Sequence, residues 1–116
     1  GHSMSHAAGA NQNLRLHHGT LNGVILPTIL RFNMNHVGDK YSRISRAMGK
    51  DESTDLANEI EKLNEKIGLP SGLAEMGITE DMIPGLVEHS MTDPSNMTTP
   101  RLPSQEEWEK LFLEAM

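Results

Sequence analysis

The sequence contains no cysteine. That excludes disulfides, thiolate metal sites and cysteine nucleophiles, and it fits a reducing cytoplasm. Aromatic residues make up only 3% of the 116 residues, and apolar residues 36%. Val and Ile are sparse, so an extended sheet has little to be built from. Eight methionines offset part of this shortage, because an unbranched thioether fills irregular apolar gaps. Basic charge is also short: 10 Lys and Arg stand against 16 Asp and Glu, a formal charge of −6. No basic face for phosphates is present, so nucleic acid is not an expected partner. The most apolar run, residues 21–32, is too short to cross a bilayer and carries Pro27 and Arg31. No membrane association and no signal peptide are expected. Neither G-x-G-x-x-G nor G-K-[ST] occurs, and no strand–turn–helix elbow frames a serine.

What the sequence does have is helical periodicity. At 116 residues it reads as one domain, residues 1–116, all-α, a bundle of five to six helices. Residues 3–10 are small and suit a short, closely packed helix, and residues 11–16 read as a loop. The next helix begins near His17–Thr20, capped by Thr20 or the residues just before it. Leu21, Val24, Ile25, Thr28, Ile29 and Phe32 then follow a helical period. Leu26 and Leu30 widen that face, which predicts a helix buried on most sides, kinked at Pro27, with Gly23 admitting a neighbour. Residues 39–48 predict a helix with Tyr41, Ile44 and Met48 on one face and Gly49 at its end. Ser53 or Thr54 caps an amphipathic helix with the stripe Leu56, Ile60, Leu63 and Ile67, stopped by Gly68 and Pro70. Pro84 starts or bends a helix that turns Leu86, Val87 and Met91 inward. Ser104 and Glu107 form a capping box before a stripe of Trp108, Leu111, Phe112 and Met116. The acidic pairs Glu80-Asp81 and Glu106-Glu107 fit the positive ends of helices.

Chemistry is concentrated at the front of the chain. Four of the six histidines, His2, His6, His17 and His18, precede the apolar run. One helical turn separates His2 from His6, which places both imidazoles on one face. His17 and His18 are adjacent, so their side chains diverge and at most one joins the same site. Imidazole is a neutral ligand for borderline divalent metals. Spacing alone leaves a metal site and incidental surface histidines both open, because two or three imidazoles do not complete a site. The opening Gly1-His2-Ser3-Met4 reads either as native sequence or as a cloning remnant. His36 and His89 read as ordinary surface residues.

Taken together, these residues resemble a known family. His2-Ser3-Met4-Ser5-His6-Ala7-Ala8-Gly9-Ala10, then His18-Gly19, Asn22 and Ile25-Leu26-Pro27 are similar to the signature of the iron-containing, or group III metal-dependent, alcohol dehydrogenases. That signature runs H-x-x-x-H-x-x-G-A, P-H-G, A-N-A-x-x-L-P and R-[FY]-N, and Arg31-Phe32-Asn33 matches its last part. Lys40-Tyr41 with Ala47-Met48-Gly49, then Ile67-Gly68-Leu69-Pro70, and Asp93-Pro94 with Thr99-Pro100-Arg101 extend the likeness over the whole chain. There are two departures. His6 and His18 are twelve positions apart, two more than in the common pattern, and His17 stands where a proline is usual.

The resemblance implies a C-terminal helical domain of a two-domain enzyme, whose Rossmann-like N-terminal domain binds NAD or NADP. Iron, with zinc as the alternative, is held there by one Asp and three His. The Asp and the first His lie upstream of the residues present. By register, His2 and His18 are the expected metal ligands. His6 is the expected cleft histidine beside the nicotinamide, with a catalytic and cofactor-binding role. The implied reaction is hydride transfer between a small alcohol and an aldehyde or ketone. On this reading the chain is a C-terminal fragment, inactive alone, that partners the N-terminal domain. The face left open is expected to be apolar, so a homo-oligomer is expected. The alternative is a free-standing helical module for self-association or metal binding.

Overall fold

The axis of the fold is its longest helix, α2 (His18–Asn33), in the computed structural model, which describes residues 1–116. Around it stand α1 (His2–Gly9), α3 (Lys40–Ala47), α4 (Leu56–Lys66), α5 (Ile83–Met91) and α6 (Gln105–Glu114). Short 3-10 turns occupy Met34–His36, Glu80–Met82 and Pro94–Thr98, and there is no strand. The expected all-α bundle of five to six helices is present, with six. No helix is long and apolar enough to cross a membrane.

The core is assembled by α1, α2, α5, α6 and the 73–78 turn. Phe112, Met4, Leu21, Ile25, Leu73 and Ile78 are fully buried there, and Trp108 and Val87 pack against the same cluster. The small residues of α1 explain its position. Ser3, Ser5, Ala7 and Ala8 are buried with Met4, so the helix backbone approaches α2 and α5 closely. Pro84 starts α5 rather than bending it, since the first turn of a helix does not need its missing N–H. The capping box on α6 forms as expected, with Ser104 accepting from Glu107 N and Glu107 accepting from Ser104 N.

The C-terminus is tied into this block. Leu73 N donates to Ala115 O at 2.8 Å and Ala74 N to Met116 O at 3.1 Å. Gly72 permits this, because a Cβ there would run into the Met116 carbonyl.

Several expectations are corrected outside the core. α2 is buried or half-buried along most of its length, as expected, but Leu26 is exposed and does not widen the buried face. The stripe of α4 is buried only at its start: Leu63 is 43% and Ile67 61% exposed. α4 instead meets α2 through a polar contact, Asn64 Nδ2 donating to Gly23 O at 2.8 Å, with Leu69 filling the space above Gly23. Its cap is Asp55, not Ser53 or Thr54. The extended backbone at Asp55 brings its carboxylate to Asn58 N at 3.2 Å, while Ser53 is taken up by Asp51. On α3 it is Ser45 that is buried, and Ile44 and Met48 face outward. On α5, Ser90 points inward and donates to Ser3 O at 3.3 Å, which leaves Met91 exposed.

Candidate metal centre

His2 and His6 project from one edge of α1, opposite the buried Met4 and Ala8. Because that buried side packs tightly, the helix has one rotational setting, and the histidine edge is fixed with it. The third imidazole comes from the first residue of α2. His17 takes an extended conformation and caps that helix, its Nδ1 accepting from Thr20 N at 3.3 Å. Gly19 leaves room for the folded-back ring: a Cβ there would sit 3.0 Å from His17 Cε1. His17 thus turns onto its own helix, and His18 turns toward α1.

The three rings form a compact group. Centroid separations are 5.5 Å for His2–His6, 5.2 Å for His2–His18 and 5.2 Å for His6–His18. One ring nitrogen from each lies within 4.8 Å of the other two. Nitrogens at about 2.1 Å from a tetrahedral ion stand roughly 3.4 Å apart, so small side-chain rotations close the set. His17, His36 and His89 remain outside it.

Neighbouring polar groups hold the rings. Ser5, fully buried, donates from Oγ to Asn22 Oδ1 at 3.1 Å and lies 3.4 Å from His18 Nδ1. Asn22 Nδ2 sits 2.9 Å from His18 Nε2 and donates to His18 O at 3.0 Å. An amide nitrogen only donates, so the lone pair of His18 is on Nε2, where it accepts from Asn22 in the absence of an ion. His6 Nδ1 is 2.9 Å from Asp93 Oδ2. Burial pushes the Asp93 carboxyl up, but hydrogen bonds from Ser95 and His6 outweigh it and hold the pKa at about 2. The surface beside His2 is polar rather than apolar: a recess of about 350 Å³ is lined by Asn33, Ser95, Thr98 and Thr99. Four of the ten exposed large apolar side chains, Ile44, Met48, Leu63 and Ile67, lie on α3, α4 or their ends, and the others are spread over the surface, Met97 on the Pro94–Thr98 turn among them.

Other motif residues turn out to be architectural. Arg31 pairs with Glu61 of α4 at 2.6 Å. The Arg101 guanidinium lies 4.2 Å from the centre of the Phe32 ring and pairs with Glu107, which fastens the 99–103 loop to α2 and α6. Nothing in the sequence marks Ser5 for a role in the site, and Asp93 stands out there only through the Asp93-Pro94 pair. Asp93 lies 87 positions from His6 in sequence, and no periodicity spans that separation.

Comparisons with known proteins identify the family of the chain. The profile described as Fe-containing alcohol dehydrogenase family, C-terminal, matches residues 1–116. The chain is 34% identical over 122 residues to a 4-hydroxybutyrate dehydrogenase of Cupriavidus necator, covering 99% of this chain and 32% of that protein. It is 31% identical to a lactaldehyde reductase of Escherichia coli (strain K12), covering 96% of this chain and 31% of the relative. A crystal structure of a 1,3-propanediol oxidoreductase matches with a TM-score of 0.90 at 26% identity, over 99% of this chain and 32% of the other. The chain belongs to the Fe-containing alcohol dehydrogenase family and corresponds to its C-terminal part. It spans about a third of the length of the curated relatives it matches.

Proposed function

We propose that this chain is the metal-holding helical part of an NAD(P)-dependent alcohol dehydrogenase, working in the cytoplasm with a Rossmann-like N-terminal domain. The observation that carries the reading is the convergence of His2, His6 and His18 from two separate helices, in a chain of this family. On this reading His2 and His18 hold Fe2+, or Zn2+, together with an Asp and a His of the N-terminal domain. His6 is the cleft residue beside the nicotinamide. The donor set suits such an ion: neutral imidazoles bind borderline metals without adding negative charge.

When bound, the metal supplies Lewis acidity toward the substrate oxygen, and the nicotinamide carries the hydride. The chain's own residues do the positioning. Packing of α1 against α2 sets the separation of His2 and His18, and the Ser5–Asn22 hydrogen bond fastens the two helices beside His18. His6 stacks 5.2 Å from His18 and is held from behind by Asp93. The polar recess beside His2 suits a hydrated cleft floor. Relatives named for 4-hydroxybutyrate, lactaldehyde and 1,3-propanediol support a small alcohol or aldehyde as substrate. Exposed Leu63 on α4 and Ile67 just past its end support burial of that face in a homo-oligomer.

Metal analysis of purified variants tests the assignment. His2→Ala and His18→Ala are expected to lose bound iron or zinc, and His6→Ala to keep it. Unchanged metal in the first two removes them as ligands, whereas loss in His6→Ala makes His6 a third ligand from this chain.

A further inference from the structure

We propose that Asp93 is a positioning residue for His6, fixing through Nδ1 the tautomer whose lone pair lies on Nε2. This inference rests on the reading of His6 as the cleft histidine, but its test does not depend on metal or turnover. An aspartate carboxylate at neutral pH only accepts hydrogen bonds, so at 2.9 Å from Oδ2 the Nδ1 of His6 must be the donor. An imidazole with both nitrogens in water exchanges between two tautomers, and a fixed acceptor removes that freedom.

Asp93 is placed independently of His6. Its Oδ1 accepts from Ser95 N at 2.8 Å, which opens the Pro94–Thr98 turn. That turn is anchored in the core by Asn96, whose Nδ2 donates to Ser90 O at 2.7 Å and whose Oδ1 accepts from Ser3 Oγ at 2.5 Å. The asymmetry of burial fits the roles: the Asp93 side chain is 6% exposed and the His6 side chain 40%. The orienting group is locked inside, and the oriented ring faces the open side next to His2 and His18.

Long-range 1H–15N NMR of the full chain reads the tautomer directly, with His6 assigned by the resonances lost in His6→Gln. The expected result is one tautomer, protonated at Nδ1. In Asp93→Asn, Ser95 N still claims the side-chain oxygen, so the amide nitrogen faces His6 and donates. The expected result is a switch to the tautomer protonated at Nε2. Ser3→Ala loosens the same turn without touching His6, and is expected to lower Tm while leaving the tautomer as in the wild type. A wild-type His6 found as an even mixture, or protonated at Nε2, overturns the proposal; so does an Asp93→Asn spectrum unchanged from wild type. If metal content is unaffected by His2→Ala and His18→Ala while the tautomer results hold, the functional reading falls and this one stands. The opposite pattern removes only the role of Asp93.

Discussion

Two regions of the molecule use similar helices in different ways. In the block of α1, α2, α5 and α6, apolar stripes meet one another and close a core around Phe112 and Met4. In the arm of α3 and α4, apolar residues at the same helical spacing face outward, and ion pairs take over. Glu59 accepts from Lys50 and Lys62, each at 2.8 Å, and Arg46 pairs with Glu52. The difference teaches that helical periodicity reports an apolar face without saying what covers it. It also explains where the histidines sit. All three grouped imidazoles are mounted on the block, where packing holds a helix in one setting, and none is on the arm.

Truncating each region should separate them most sharply. Phe112→Ala removes a fully buried ring and is expected to cost about 3–5 kcal/mol of unfolding free energy. Leu63→Ala on the arm, measured at a dilution where the chain is monomeric, is expected to stay within about 0.5 kcal/mol. Urea titrations of both variants measure this, and equal losses would erase the distinction. Next in size is Gly72→Ala, which forces the C-terminal carbonyl away from the 73–74 amides; a loss of about 1–3 kcal/mol is expected in the same assay.

The adjacent histidines should come apart in opposite directions. His17→Ala removes the α2 cap and is expected to cost roughly 0.5–1 kcal/mol with metal content unchanged. His18→Ala should lose metal. If His17→Ala instead strips the metal, the register assigned to the two is inverted.

The smallest effect concerns the arm. Hydrogen bonds from Lys50 and Lys62 hold the Glu59 carboxyl at about 2, below its ordinary value of 4.5. A lowered folded-state pKa means this stabilisation is complete above pH 4.5 and is lost as pH falls toward 2. Comparing Tm of wild type and Glu59→Gln across that range, the gap should narrow with acidification. High salt at neutral pH should narrow it too, since exposed pairs are screened. A gap indifferent to both would mean that Glu59 contributes through packing.

Most of the architecture was legible because it is written locally. The Ser104–Glu107 box, Gly49 and Gly68 after their helices, and Pro84 at a helix start act over three or four residues, and each stands where the sequence places it. What was misread depends on distant partners. Leu63 and Ile67 look like core by spacing, but α4 reaches α2 through Asn64, a polar residue that no stripe would select. The site divides along the same line. His2 and His6 were visible as one turn of a helix, and His18 by the glycine after it. Asp93 was invisible as a partner of His6, because only the packing of α1 on α5 and the turn after it brings residues so distant in sequence together.

A zinc titration of the full chain, followed by NMR of the six histidine rings, tests the central claim most directly. The account predicts that the ring nitrogens of His2 and His18 shift together and saturate at one ion per chain, while His17, His36 and His89 stay still. Shifts spread evenly over all six rings, without saturation at one equivalent, would contradict it.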